Sequence, residues 1–146
     1  MPGRQQQRGI LCGCSRCPAP FILTSQLMAT TQEATTHAVL THHLTAFGGN
    51  DLDEILKDYT EDSLVFSPDG PLKGLAAIRE MFEDFFAKIP TGCEFGMQQL
   101  SVADNIAYIA WHSKSAVATI PLGTDTFFLE GDKIRLHTVA SYVAPE

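Results

Sequence analysis

Cysteine, cations and long apolar runs are all scarce in the body of this chain. Of the 4 cysteines, Cys12, Cys14 and Cys17 lie near the start and only Cys93 lies beyond. No disulfide can therefore form within the body, which fits a reducing, cytoplasmic setting. Residues 1–27 carry Arg4, Arg8 and Arg16 and no acid, leaving 7 cations against 17 acids in the remainder, a net −10. Such a surface argues against nucleic acid, whose binding needs cations to displace counterions. It equally disfavours anionic membrane surfaces. No stretch of about 18 apolar residues occurs, so no spanning helix is expected. Phosphate-binding loops, dinucleotide fingerprints and nucleophile elbows are missing, and no cofactor is implied.

What remains suits a single domain. The 146 residues are 45% hydrophobic and 18% charged, within the ordinary globular range. A body of about 120 residues buries roughly two-thirds of its unfolded surface and folds without metal or disulfides. We read residues 1–28 as an extension, disordered or lying upstream of a start at Met28, and residues 29–146 as the domain. Cys12, Cys14 and Cys17 offer a metal too few thiolates for a four-ligand zinc site. Only Ile10 and Leu11 precede them, too short an apolar stretch for a signal peptide. In the body, His37 and His42 do not share one helical face, and no metal is expected.

Helical spacing of Ala34, Leu40, Leu44 and Phe47 predicts a first helix over about 31–47. Gly48 and Gly49 end it. Asn50 then reads as the N-cap of a second helix whose buried face is Leu52, Ile55, Leu56 and Tyr59. Residues 63–67 read as a strand, and Pro68 to Pro71 as a turn. A third helix buries Leu75, Ile78, Phe82, Phe85 and Ile89 before Pro90 stops it. Strands are expected over 94–102, 107–115, 124–130 and 133–143, with Thr119 to Gly123 as a bend and Glu130 to Lys133 as a tight hairpin. Helices first and long strands after give an α+β class, a curved, mainly antiparallel sheet wrapped around about three N-terminal helices.

Particular residues carry a resemblance. The run Asp51-Leu52-Asp53-Glu54-Ile55-Leu56-Lys57-Asp58-Tyr59-Thr60-Glu61-Asp62-Ser63 is followed by Pro68-Asp69-Gly70 and by Lys73-Gly74-Leu75-Ala76-Ala77-Ile78-Arg79. Near the end stands Asp125-Thr126-Phe127-Phe128-Leu129-Glu130-Gly131-Asp132-Lys133-Ile134. Over about residues 36–143 this resembles the SnoaL-like, ketosteroid isomerase-like branch of the nuclear transport factor 2-like superfamily. The resemblance implies a cone-shaped roll with a mainly apolar pocket between sheet and helices, and a homodimer. Function does not follow, because this fold hosts enzymes and non-enzymatic binders alike.

The resemblance also exposes departures. The carboxylate base of the isomerases stands where this chain has Ser67, in Val65-Phe66-Ser67-Pro68. Their oxyanion tyrosine aligns with His43, and their acidic oxyanion partner with Asp125. A serine hydroxyl without assistance is a far weaker base than a carboxylate. Asp69 is a nearby carboxylate, though a turn aspartate ordinarily caps its turn. The resemblance implies that Asp125 faces inward with Phe127 and Leu129, and His137 with Val139 and Ser141. A histidine beside a carboxylate can act as acid or base near neutral pH, and dehydratases of the superfamily use a histidine pair with an aspartate.

The candidate catalytic set is therefore Asp125, His137 and His112. Ser67, His43, Trp111, Phe127, Leu129 and Val139 are expected to line a pocket. The first reading is a SnoaL-like domain binding a small hydrophobic or aromatic molecule without isomerase chemistry. The alternatives are a cofactor-free isomerase, cyclase or dehydratase using Asp125 and His137, and a dimerisation module whose pocket is collapsed.

Overall fold

A computed structural model describes the backbone of residues 22–145 and the side chains of residues 31–145. Of the expected N-terminal extension, residues 1–21 lie outside the described residues, while the backbone of 22–28 belongs to the first helix. Helix α1 runs Ile22–Gly48, beginning earlier than the sequence pattern suggested. Helix α2 is one turn, Leu52–Ile55, continued by a tighter turn over Leu56–Asp58. Strands β1 (Leu64–Ser67) and β2 (Gly70–Lys73) form a hairpin before α3 (Gly74–Lys88). Four long strands follow: β3 (Glu94–Ala103), β4 (Ile106–Lys114), β5 (Thr119–Glu130) and β6 (Lys133–Tyr142).

The six strands form one curved, unclosed sheet in the order β2-β1-β6-β5-β4-β3. Every neighbouring pair is antiparallel except β1 with β6. The helices cover the concave face, which gives the α+β class expected from the sequence. Their common core includes Leu40, Ile55, Tyr59, Val65, Ile78, Phe82, Ile109, Trp111, Phe127, Leu129 and Ile134.

Several local expectations are corrected. Leu40 is buried as expected and Leu44 and Phe47 pack against the core, but Ala34 is exposed, and α1 also buries Thr36, Val39, His43 and Ala46. Thr36 can be buried because its hydroxyl donates to Asp104 O at 2.7 Å, tying α1 to the β3–β4 turn. The N-cap of α2 is Asp51, not Asn50: the Asp51 carboxylate accepts from Glu54 N at 3.1 Å. Asn50 takes the left-handed conformation that ends the preceding helix (φ 51°), which asparagine tolerates better than most residues. The Pro68–Pro71 segment is not all turn, since Gly70 and Pro71 already pair with Ser67 and Phe66. Proline is accepted there because β2 is an edge strand. Thr119–Gly123 is strand rather than bend; the irregularity is a register shift around His112.

Candidate functional site

The site begins with sheet parity. Asp125 on β5 is paired with Ile109 on one side and Val139 on the other. His137 on β6 is paired with Phe127. Asp125 and His137 are thus diagonal neighbours on one face, close enough for long side chains to meet. That face is the concave one, and both residues are buried.

Four side chains link into a buried hydrogen-bonded row. Trp111 Nε1–H donates to Asp125 Oδ2 at 2.5 Å. His137 Nε2 and Asp125 Oδ1 are 2.7 Å apart. Tyr59 O and His137 Nδ1 are 2.9 Å apart. With Asp125 a carboxylate, Nε2 carries the proton toward it, and Tyr59 O–H donates to the Nδ1 lone pair. Every polar atom of the row's interior then has a partner. Burial, with help from Asp125 and Asp58, pushes the Tyr59 hydroxyl well above its usual pKa, so it stays a donor. The His137 ring stacks on Phe127 with centroids 4.4 Å apart, which fixes its plane.

Trp111 reaches Asp125 because Gly123 lies opposite it on β5. A β-carbon on Gly123 would stand 2.3 Å from the indole ring. The missing side chain therefore gives the ring its resting place.

His43 approaches from α1. It is 3% exposed, and its ring packs edge-on against Phe127, Phe82 and Tyr59. His43 Nδ1 stands 3.6 Å from Asp58 Oδ2, and neither atom has a hydrogen-bond partner. Burial lowers the His43 pKa, Asp58 opposing and His137 reinforcing the shift. The ring is thereby kept neutral. The adjacent His42 points outward and bridges Asp58 Oδ1 at 2.8 Å and Glu54 Oε2 at 3.2 Å. The Glu54 hydrogen bond and the Asp58 charge raise its pKa.

Beside the buried row lies a small cavity of about 30 Å³, whose walls include Leu44, Phe47, Phe82, Phe85, Phe95 and Ile109. His43, Trp111, Asp125, Phe127 and His137 also line it. Such a space holds about one water-sized group. A second cavity of about 120 Å³ adjoins it under Asn50, Ile89, Cys93 and Met97. Leu44, Phe47 and Phe95 line both and form the partition.

The other expected site residues lie elsewhere. His112 lies apart from this cavity, its ring over Gly96 and beside Gln98 and Glu94. His112 is partly exposed and does not line the cavity that Trp111 borders. Ser67 caps the β1–β2 turn, its hydroxyl donating to Gly70 O at 3.1 Å. Ser67 and Val139 line a separate surface cleft of about 410 Å³ together with Asp69. Leu129 is buried but does not border the small cavity. Tyr59 and Asp58 are functional candidates that the sequence reading passed over. The signal was available: a tyrosine on a buried helical stripe must find a partner for its hydroxyl.

Among the described residues, no cluster of histidine, cysteine or acidic side chains is arranged to hold a metal ion. No helix among them is long and apolar enough to cross a membrane.

Comparison with known proteins gives the following. A family model described as the SnoaL-like domain matches residues 40–137. No curated protein sequence matches the chain. An NTF-2 like protein of unknown function from Burkholderia xenovorans superposes with a TM-score of 0.64 at 14% identity, covering 79% of this chain and 88% of its own. A SnoaL-like protein of unknown function from Burkholderia thailandensis gives 0.57 at 16% identity, with 77% and 96% covered. A de novo designed protein with a curved β-sheet gives 0.64 at 8% identity, with 75% and 86% covered. At these identities the likeness is one of fold, and the designed relative underlines that this fold does not itself carry a chemistry.

Proposed function

The chain belongs to the SnoaL-like domain family, and from that premise we propose that it binds a small aromatic molecule between the sheet and α1. The observation that carries this reading is a buried carboxylate, Asp125, bordering with His43 and His137 a cavity whose remaining walls are phenylalanine, tryptophan and aliphatic side chains. Ligand sites are mainly apolar with a few convergent polar groups. The inner cavity alone is too small for a ring. Rotation of Phe47 or Phe95 out of the partition would join it to its neighbour, and an apolar space of about 150 Å³ takes benzene.

This reading involves no proton transfer. Both ring nitrogens of His137 are engaged, by Asp125 and by Tyr59. A general base needs a free lone pair within reach of the substrate. At the isomerase base position, Ser67 is committed to its turn. Amide spectra of the labelled protein titrated with benzene test the proposal. Shifts should concentrate on Leu44, Phe47, Phe95 and the Trp111 indole, and Leu44→Ala should tighten binding. Unmoved resonances along this lining at saturating benzene would overturn it.

A second reading, acid–base catalysis through Asp125 and His137, is favoured by their 2.7 Å contact beside the cavity. It requires Asp125 to be the base, and predicts solvent deuterium uptake into a small cyclic ketone that Asp125→Asn abolishes. We further propose that two copies pair through the exposed apolar residues Ile106, Tyr108, Leu122 and Tyr142. Sedimentation of the wild type against Tyr108→Lys tests that pairing.

A further inference from the structure

The polar end of the inner cavity has an unusual property: its donors are all spent. The Trp111 N–H and the His137 Nε2–H both go to Asp125, and the Tyr59 O–H goes to His137 Nδ1. Asp125 retains unused acceptor capacity, since a carboxylate has about four lone-pair sites and two are occupied.

His43 adds a second acceptor. Its ring is buried and lines the cavity, and its Nδ1 has no hydrogen-bond partner among the described residues. Nδ1 is sealed against the Asp58 carboxylate, so the neutral ring is steadied with its proton on that nitrogen. The alternative tautomer would set a lone pair against a carboxylate. The ring edge turned away from Asp58 then presents Nε2 as an acceptor. The charged groups around the ring are Asp58 on one side and Asp125 on the other, with His137 and Tyr59 between them. Its lowered pKa agrees with a neutral ring.

Building on the binding function proposed above, we infer that the pocket selects an aromatic hydroxyl compound, a phenol, and discriminates against the matching ketone, ether or carboxylate. A phenol hydroxyl would occupy the water-sized end of the cavity and donate to Asp125 or His43, while its ring takes the space behind the Phe47 and Phe95 partition. A ketone would find two acceptors and no donor. A carboxylate would meet the charge of Asp125. Where a buried polar group is left unpaired, discrimination of this kind is large.

The test is a titration of the full chain with phenol, toluene, methoxybenzene and acetophenone, followed through the Trp111 indole resonance. Phenol should bind at least ~10-fold more tightly than the other three. Asp125→Asn, which brings an amide donor, should narrow the gap between phenol and acetophenone, and His43→Phe should weaken phenol alone. Near-UV circular dichroism identifies a variant that has lost its fold, and the ligand series on the wild type stands without either variant. Equal binding of phenol and toluene would overturn the inference while leaving the pocket intact, as would acetophenone binding better. If none of the four binds, the pocket reading itself fails.

Discussion

Replacing Gly123 by alanine should dismantle the Trp111–Asp125 contact. The added β-carbon would lie 2.3 Å from Trp111 Cε2 and Cζ2, well inside the closest approach of real carbon atoms. Both positions are strand backbone paired directly across β4 and β5, so neither main chain can step aside. The indole must lift away from β5, stretching or breaking its hydrogen bond to Asp125. Loss of a hydrogen bond to a charged group costs roughly 1.5–3 kcal/mol, and overpacking a core adds roughly 1–3 kcal/mol. A total of roughly 2.5–6 kcal/mol is a large fraction of a typical domain's stability. Urea denaturation measures it, and Trp111 is the chain's single tryptophan, so its emission reports the same event. The emission should shift to the red, and the indole N–H resonance should lose its hydrogen-bonded position. In a Trp111→Leu background the alanine should cost much less, since the clash is gone. If Gly123→Ala unfolds at the parent's urea midpoint with emission unchanged, the geometry argued here is wrong.

Further outcomes follow from the same contacts. Tyr59→Phe should destabilise the protein by about 1–2 kcal/mol, because it leaves His137 Nδ1 buried without a partner; chemical denaturation checks it. His43 has a folded pKa below the ordinary value of about 6.5, so the unfolded chain protonates first on acidification. Its contribution is complete above about pH 6.5 and declines below it, by up to about 1.4 kcal/mol per pH unit for one proton. His43→Phe should flatten that slope in a stability–pH series. His42 behaves oppositely: its raised pKa makes its contribution complete below its unfolded pKa and lost as pH rises through the folded one. In Glu54→Gln the His42 titration followed by NMR should move down toward the ordinary value. Ser67→Ala should leave ligand binding in the inner cavity unchanged, since Ser67 lies in the other cleft.

The fold was legible where periodicity and burial agreed. Leu75, Ile78, Phe82 and Phe85 in α3, and Ile89 just after it, pack into the core as their spacing requires, and the Glu130–Lys133 hairpin forms where Gly131 permits its left-handed turn (φ 62°). Strand β2 escaped because Gly70 and Pro71 signal a turn locally, and only its edge position makes a strand tolerable. In the site, the resemblance implied an inward Asp125, and alternation along one strand is what keeps it on the face of Phe127 and Leu129. His112 does not join them: its ring lies over Gly96 while Trp111 lies over Gly123. That Tyr59 needs a partner was legible, but its meeting with His137, the place of Asp58 and the partition of Phe47 and Phe95 were not. They come from α1, the turn after α2 and β3, and their meeting depends on how helices settle on the sheet. His43 and His42 show the same limit: adjacent on α1, they point apart yet both approach Asp58.

A crystal structure of the protein grown with phenol tests the central claim most directly. The account predicts the ring behind Leu44, Phe47 and Phe95, with at least one of those phenylalanines rotated. Its hydroxyl should lie about 2.6–3.2 Å from Asp125 or from His43 Nε2. Phenol found only in the cleft of Ser67 and Asp69, with the inner cavity and its aromatic partition unchanged, would contradict it.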